Sequence, residues 1–162
     1  MKIIKMLEYS KYLRQSYLNT VSKLSWEELI DDRGASFGSL RNIYLHCIEV
    51  LNRYVNHRIQ GESELPRINF DDFDSMDKIK AYSDQVETSV DRYLNKITSE
   101  ELSRKVELKF NDGTLIQLTV EDVLIHLFQE EIHHLGELIA LLWQMNIEPP
   151  HLGWSRYINM YT

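Results

Sequence analysis

His126-Leu127-Phe128-Gln129-Glu130-Glu131-Ile132-His133-His134-Leu135-Gly136-Glu137 sets three imidazoles and three carboxylates into little more than three helical turns. Val120, Val123 and Leu124 precede it, and Leu138, Ile139, Leu141 and Leu142 follow, at the spacing of a helix turned toward a core. Ionisable side chains are costly to bury unless they are paired or bound to a metal. The segment is therefore a core-facing helix whose acids and imidazoles form either a solvated flank or a site.

Working outward, three further long helical patterns precede this one. The first runs from about Ile3 to Leu24, with Leu7, Ser10, Leu13, Tyr17, Val21 and Leu24 at steps of three and four. Ser25 with Glu28 three residues on makes a capping box, and Gly34 and Gly38 bracket a loop. The second helix runs from near Ser39 to Gly61, its inner face being Leu40, Ile43, Tyr44, Cys47, Ile48, Leu51, Tyr54 and Val55. Pro66 and Asp71-Asp72-Phe73-Asp74 mark a connection, and Ser75 caps a third helix over Met76–Ile97. The single β signal comes next: Val106 to Phe110 alternates by two, Asn111-Asp112-Gly113-Thr114 turns, and Leu115 to Leu118 returns. Thr119 and Asp122 then cap the fourth helix, which ends near Asn146 before Pro149 and Pro150, leaving a tail (Trp154, Tyr157, Ile158) to pack back. Four amphipathic helices of similar length bury their stripes most readily against one another. The expected fold is an all-α four-helix bundle, one domain over residues 1–162, with a short β-hairpin-like connection before the last long helix.

The chain has 162 residues, 43% of them hydrophobic and 27% charged, the balance of an ordinary soluble domain. Its net charge of −7 supplies no basic stripe to displace counterions from phosphates, so nucleic acid is not an expected partner. Cys47 is the sole cysteine and reads as a small buried hydrophobe, which excludes an internal disulfide. No apolar run approaches the roughly 20 residues that span a bilayer, and the first residues lack the pattern of a signal peptide. A cytoplasmic protein without a membrane partner is expected.

With about 100° per residue and His126 at zero, the apolar stripe of the fourth helix centres near 120°. On that wheel Glu130 lies at about 40°, His134 at about 80° and Glu131 at about 140°, whereas His133 and Glu137 lie outside the stripe. Glu130 and His134, four apart on one face, have the spacing that lets two side chains hold one ion, or that forms a solvated ion pair. His46 lies about 130° from the centre of the second helix's apolar face and so borders the core. His126, His133, His57 and His151 read as polar flanks, Glu49 as a solvated acid, and Tyr44, Tyr54 and Tyr93 as core aromatics with wet hydroxyls.

Several local strings resemble the DinB/YfiT-like superfamily of four-helix-bundle metalloproteins, and the resemblance covers nearly the whole chain. Ser36-Phe37-Gly38-Ser39-Leu40 followed by His46 is similar to that family's entry into its second helix, where a histidine supplies the first metal ligand. Leu118-Thr119-Val120-Glu121-Asp122 resembles the connection before its last helix. Glu131-Ile132-His133-His134-Leu135-Gly136-Glu137 resembles its histidine-arginine-glycine-glutamine signature, with His134 on the final ligand and Gly136 on the small packing residue. This chain departs from the pattern at three places. Glu130 stands where a second histidine is usual, Leu135 replaces arginine, and Glu137 replaces glutamine.

The resemblance implies a divalent metal held by His46, Glu130 and His134, with Zn or Ni ahead of Fe or Mn, a set compatible with two imidazoles and a carboxylate. It implies hydrolase-like or thiol S-transferase chemistry on a small molecule or low-molecular-weight thiol, with Glu131 as an acid/base or substitute ligand, and a homodimer. The departures leave an alternative open: a non-catalytic dimeric helical-bundle module, stress-related or ligand-binding, whose metal site is degenerate.

Overall fold

The computed structural model describes residues 2–62, 66–109, 112–150 and 153–160. In chain order the elements are α1 (Lys2–Val21), α2 (Trp26–Ile30), α3 (Leu40–Asn52) with a π-helical continuation (Arg53–Ile59), and a 3-10 turn (Phe70–Asp72). There follow α4 (Met76–Leu94), α5 (Ser99–Ser103), β1 (Lys105–Lys109), β2 (Leu115–Thr119), α6 (Val120–Gln144) and α7 (Trp154–Met160). The fold is the all-α four-helix bundle, its long members being α1, α3 with its continuation, α4 and α6, and an antiparallel hairpin stands before the last of them. No helix among the described residues is long and apolar enough to cross a membrane.

The local signals explain most of these boundaries. Ser25 caps α2 with the full reciprocal box, accepting from the Glu28 N–H while its own N–H donates to the Glu28 carboxylate. Ser75 caps α4 by accepting from the Lys78 N–H. The hairpin pairs Val106 with Leu118 and Leu108 with Ile116, and Val106 and Leu108 turn inward. Phe110, at the end of the expected first strand, and Asn111, in the expected turn, lie outside the described residues, as does His151. Thr119 then accepts from the Asp122 N–H at 3.1 Å while its own N–H donates to the Asp122 carboxylate at 3.2 Å, starting α6.

Two expectations need correction. The second helix is not α-helical to Gly61. From Arg53 it widens into a π turn, where the Gln60 N–H reaches the Val55 carbonyl five residues back. Gly61, at φ +73, ends the stretch. The third helix stops at Leu94 rather than near Ile97: the Asn95 N–H still reaches the Asp91 carbonyl four back, but the Lys96 and Ile97 amides bond three residues back, and Thr98 caps the unexpected α5.

Contacts fall into two compact units, residues 1–46 with 130–162, and residues 47–129. The first has an interior of Leu7, Leu13, Tyr17, Leu40, Ile43, Leu135, Leu138 and Leu142, and α7 meets α1 through Tyr9, whose ring lies 5.3 Å from Trp154 and 5.2 Å from Tyr157. The second is built on Ile48, Leu51, Val55, Ile79, Val86, Val90, Val106, Leu108 and Leu124.

Candidate metal centre

The turn before α3 organises the site. Arg33 N–H donates to the Gly38 carbonyl at 2.9 Å and Gly38 N–H to the Ala35 carbonyl at 3.0 Å. Gly38 sits at φ +79, and a Cβ there would meet the Asp32 carboxylate at 3.2 Å, so the position favours glycine both conformationally and sterically. Ser39 closes the turn by accepting from the Asn42 N–H at 3.2 Å, which caps α3. The result places Phe37 flat against the His46 ring, centroids 3.9 Å apart and planes 22° from parallel. The same turn presents the Ser36 N–H and hydroxyl to Glu137 of α6 at 3.3 and 2.8 Å.

On α6, His134 is buried and its ring lies 4.6 Å, centroid to centroid, from that of His46, edge to face. His134 Nδ1 is 2.6 Å from Glu137 Oε2. An N–H donated there leaves the Nε2 lone pair available, and Nε2 faces Glu130 Oε2 at 3.8 Å. Donor atoms of His46, Glu130 and His134 all lie within 4.8 Å of one another. Tetrahedral ligands at zinc-like bond lengths stand about 3.4 Å apart, so the set needs only small side-chain adjustments to hold one ion. Two imidazoles and a carboxylate, one imidazole already fixed through its other nitrogen by a carboxylate, are a donor set suited to a divalent cation. His133, His134 and Glu137 form a second cluster within the same distance. Occupying it through Nδ1 would break the 2.6 Å bond to Glu137, and His133 is exposed, so the first set is the better one.

Burial alone would raise the Glu137 carboxyl, but hydrogen bonds from His134 and Ser36 outweigh it and hold the group below the usual carboxylate range. Glu137 is the functional residue that sequence reasoning missed, since the wheel placed it outside the apolar stripe. Its signal was present all the same, because a carboxylate three residues after a helical histidine shares its edge.

The other singled-out residues belong to neither group of candidate ligands among the described residues. Glu131 is fully buried and ion-paired with Arg14 of α1. His126 Nε2 bonds the Tyr54 hydroxyl at 3.2 Å. Glu49 is buried rather than solvated, and it accepts from Arg53 at 3.0 Å and from the Ile68 N–H at 3.3 Å. The Tyr93 hydroxyl donates to Glu101 at 2.8 Å.

The chain is thus a helical bundle that carries a histidine–carboxylate cluster on its α3 and α6 helices. The family model for the DinB family matches residues 1–161, and the chain belongs to that family. YizA of Bacillus subtilis (strain 168) is 24% identical over 147 residues, covering 91% of this chain and 90% of YizA. Among solved structures, a DinB-like protein of Bacillus subtilis (YjoA) superposes with a TM-score of 0.62 at 18% identity, covering 91% of this chain and 97% of its own. A DinB-like protein from Bacillus cereus ATCC 10987 gives 0.63 at 18% identity, with 91% and 95% covered. At that identity the structural likeness establishes the fold.

Proposed function

We propose that this chain, as one DinB domain over residues 1–162, binds a divalent metal ion through His46, Glu130 and His134 and serves as a cytoplasmic metal-dependent hydrolase or thiol S-transferase. The observation that carries the reading is the approach of those three donors within 4.8 Å, with His134 already oriented by Glu137. Zn or Ni stands first, and Fe or Mn also suits the donor set. A bound ion would supply Lewis acidity, lowering the pKa of a coordinated water or thiol of a small substrate. The protein's own contribution is orientation. Phe37 stacks on His46 and shields one face of it, while Ser36 and Glu137 fix the His134 tautomer. Glu131, committed to Arg14 in the interior, acts as that cation's counter-ion rather than as an acid or base.

The reading includes a homodimer through α6, whose exposed surface carries Ile132, Ile139 and Trp143 along one edge with Gly136 between them. Light scattering should show a dimer for the native chain and a monomer for the Ile132→Glu/Ile139→Glu variant. The metal is tested by adding zinc to chelator-stripped protein. At about 100 times Kd the ion should stabilise by about 2.7 kcal/mol, a rise of roughly 5–10 °C in Tm for a chain of this size. His134→Ala should abolish the rise. A mutant response equal to that of the native chain would reject these ligands, and no native response would leave the non-catalytic module with a degenerate site.

A further inference from the structure

Two helices of the first compact unit leave a groove between them that the metal chemistry does not use. Tyr9 and Tyr17 of α1, two turns apart, form one wall. Ile132, Gly136 and Trp143 of α6, on one helical face, form the other, and the groove measures about 410 Å³. Gly136 is what keeps it open. A Cβ there would meet nothing within 4 Å. Glycine in a helix interior is disfavoured relative to alanine, so packing within the chain does not account for it.

The walls define what would fit. None of the described residues that line the groove is charged, so an ion entering it would lose water without meeting an opposite charge. Trp143, Pro149 and Pro150 offer flat ring faces, and Trp143 is half exposed at the rim. Tyr17 is 1% exposed, and its hydroxyl has no hydrogen-bond partner among the described residues. Such a group is uncommon in a native interior. Burial, with Tyr9 adding to it, pushes that phenol above its ordinary range, so it stays an uncharged O–H able to donate or accept. An apolar cavity of about 150 Å³ takes one benzene, so this larger, open groove takes two fused rings. The rival occupant is a second copy docked through Ile132, Ile139 and Trp143, but its aliphatic edge would leave the Tyr17 hydroxyl unpaired. We propose that the groove between α1 and α6 binds an uncharged two-ring aromatic molecule whose single hydroxyl or carbonyl oxygen bonds the Tyr17 hydroxyl. The site goes beyond the metal reading and needs no ion.

The test titrates the full chain, labelled with 15N-tryptophan and held in excess chelator, with 2-naphthol, 2-methylnaphthalene and 2-naphthoate. 2-Naphthol should shift the Trp143 indole resonance saturably and leave Trp26, which stands against Arg41 and does not line the groove, unmoved. Half-saturation should come at a concentration roughly fivefold lower than for 2-methylnaphthalene, which lacks the hydrogen bond, and at least tenfold lower than for 2-naphthoate. Tyr17→Phe should erase the advantage of 2-naphthol over 2-methylnaphthalene. Gly136→Leu, which fills the groove, should abolish the shifts without lowering Tm, and Tyr17→Phe decides the matter if that variant fails to fold. Equal affinity for 2-naphthoate, or a 2-naphthol advantage that survives Tyr17→Phe, would overturn the proposal. Light scattering at the same concentrations fixes the oligomeric state. A dimer without a saturable shift overturns the proposal in favour of a second copy in the groove, and a monomer without one overturns it outright.

Discussion

Replacing Glu137 by Ala removes three contacts at once: the 2.6 Å bond to His134 Nδ1 and the two bonds from Ser36 at 3.3 and 2.8 Å. His134 is then free to rotate or to carry its proton on the nitrogen that should face the ion. Loss of such an outer partner typically weakens metal binding about 10–100-fold. That corresponds to about 1.4–2.8 kcal/mol. Glu137→Gln retains an oxygen acceptor for the His134 N–H and should fall at the mild end, about tenfold. The assay is competition for zinc against a chromophoric chelator, with melting in excess chelator to confirm that both variants remain folded. Glu130→Ala and His133→Ala complete the set, because they separate the two clusters that share His134. Zinc affinity lost in Glu130→Ala and kept in His133→Ala places the ion as proposed. The reverse pattern, or a Glu137→Ala variant binding zinc as tightly as the native chain, refutes the idea that Glu137 orients a ligand.

Three further outcomes follow from the packing. Arg14→Met leaves the Glu131 carboxylate buried without its cation and should cost about 3–5 kcal/mol in urea unfolding, while adding Glu131→Leu should restore most of it. Thr119→Ala removes the acceptor for the Asp122 N–H at the start of α6 and should cost about 1 kcal/mol in the same measurement. Glu101 is held below its ordinary value of 4.5 by hydrogen bonds from Arg104, against some desolvation, with Tyr93 helping. A carboxyl with a depressed folded-state pKa contributes stability above its unfolded value, and the contribution is lost as pH falls through the folded one. Glu101→Gln should therefore flatten the acid limb of the stability curve below about pH 4.5, with little change in slope above it.

The bundle was legible because its signals are local and periodic. Apolar steps of three and four marked the long helices, and Ser25, Ser75 and Thr119 capped elements where their side chains predict. The alternation around Val106 and Leu108 gave the hairpin its inward face. What escaped depends on events that a wheel with a fixed angle per residue cannot represent. Glu49, Arg53 and His57, spaced by four, line one cavity that a wheel does not show, and the π widening at Arg53 shifts every later side chain on that helix. Glu49 was read as solvated for a related reason. Its partners are Arg53, one turn on, and the Ile68 amide, nineteen residues away on a loop without periodicity. The site shows the same division. Glu130 and His134 share a helix edge by spacing alone, whereas the pairing of that edge with His46 came from family resemblance, since a wheel does not say which helices face each other.

Metal affinity in such a site depends on how little its ligands must be reorganised, and here the burden falls on one turn. Ser36 fixes the carboxylate that fixes His134, and Phe37, the next residue, stacks on His46. Both effects need the backbone to reverse at Gly38, where a positive φ and a 3.2 Å approach to Asp32 disfavour any side chain. Glu130 is the donor not clamped in this way, with 37% of its side chain exposed and its oxygen still 3.8 Å from His134 Nε2. It is also the position where this chain carries a carboxylate in place of the family's usual imidazole. A flexible acid can close on an ion without a preset tautomer, so in the proposed site the substitution would move preorganisation onto the two histidines and leave the third donor adaptable. The departure at Glu130 is thus chemically consistent with the tight restraint of His46 and His134 by the 36–39 turn.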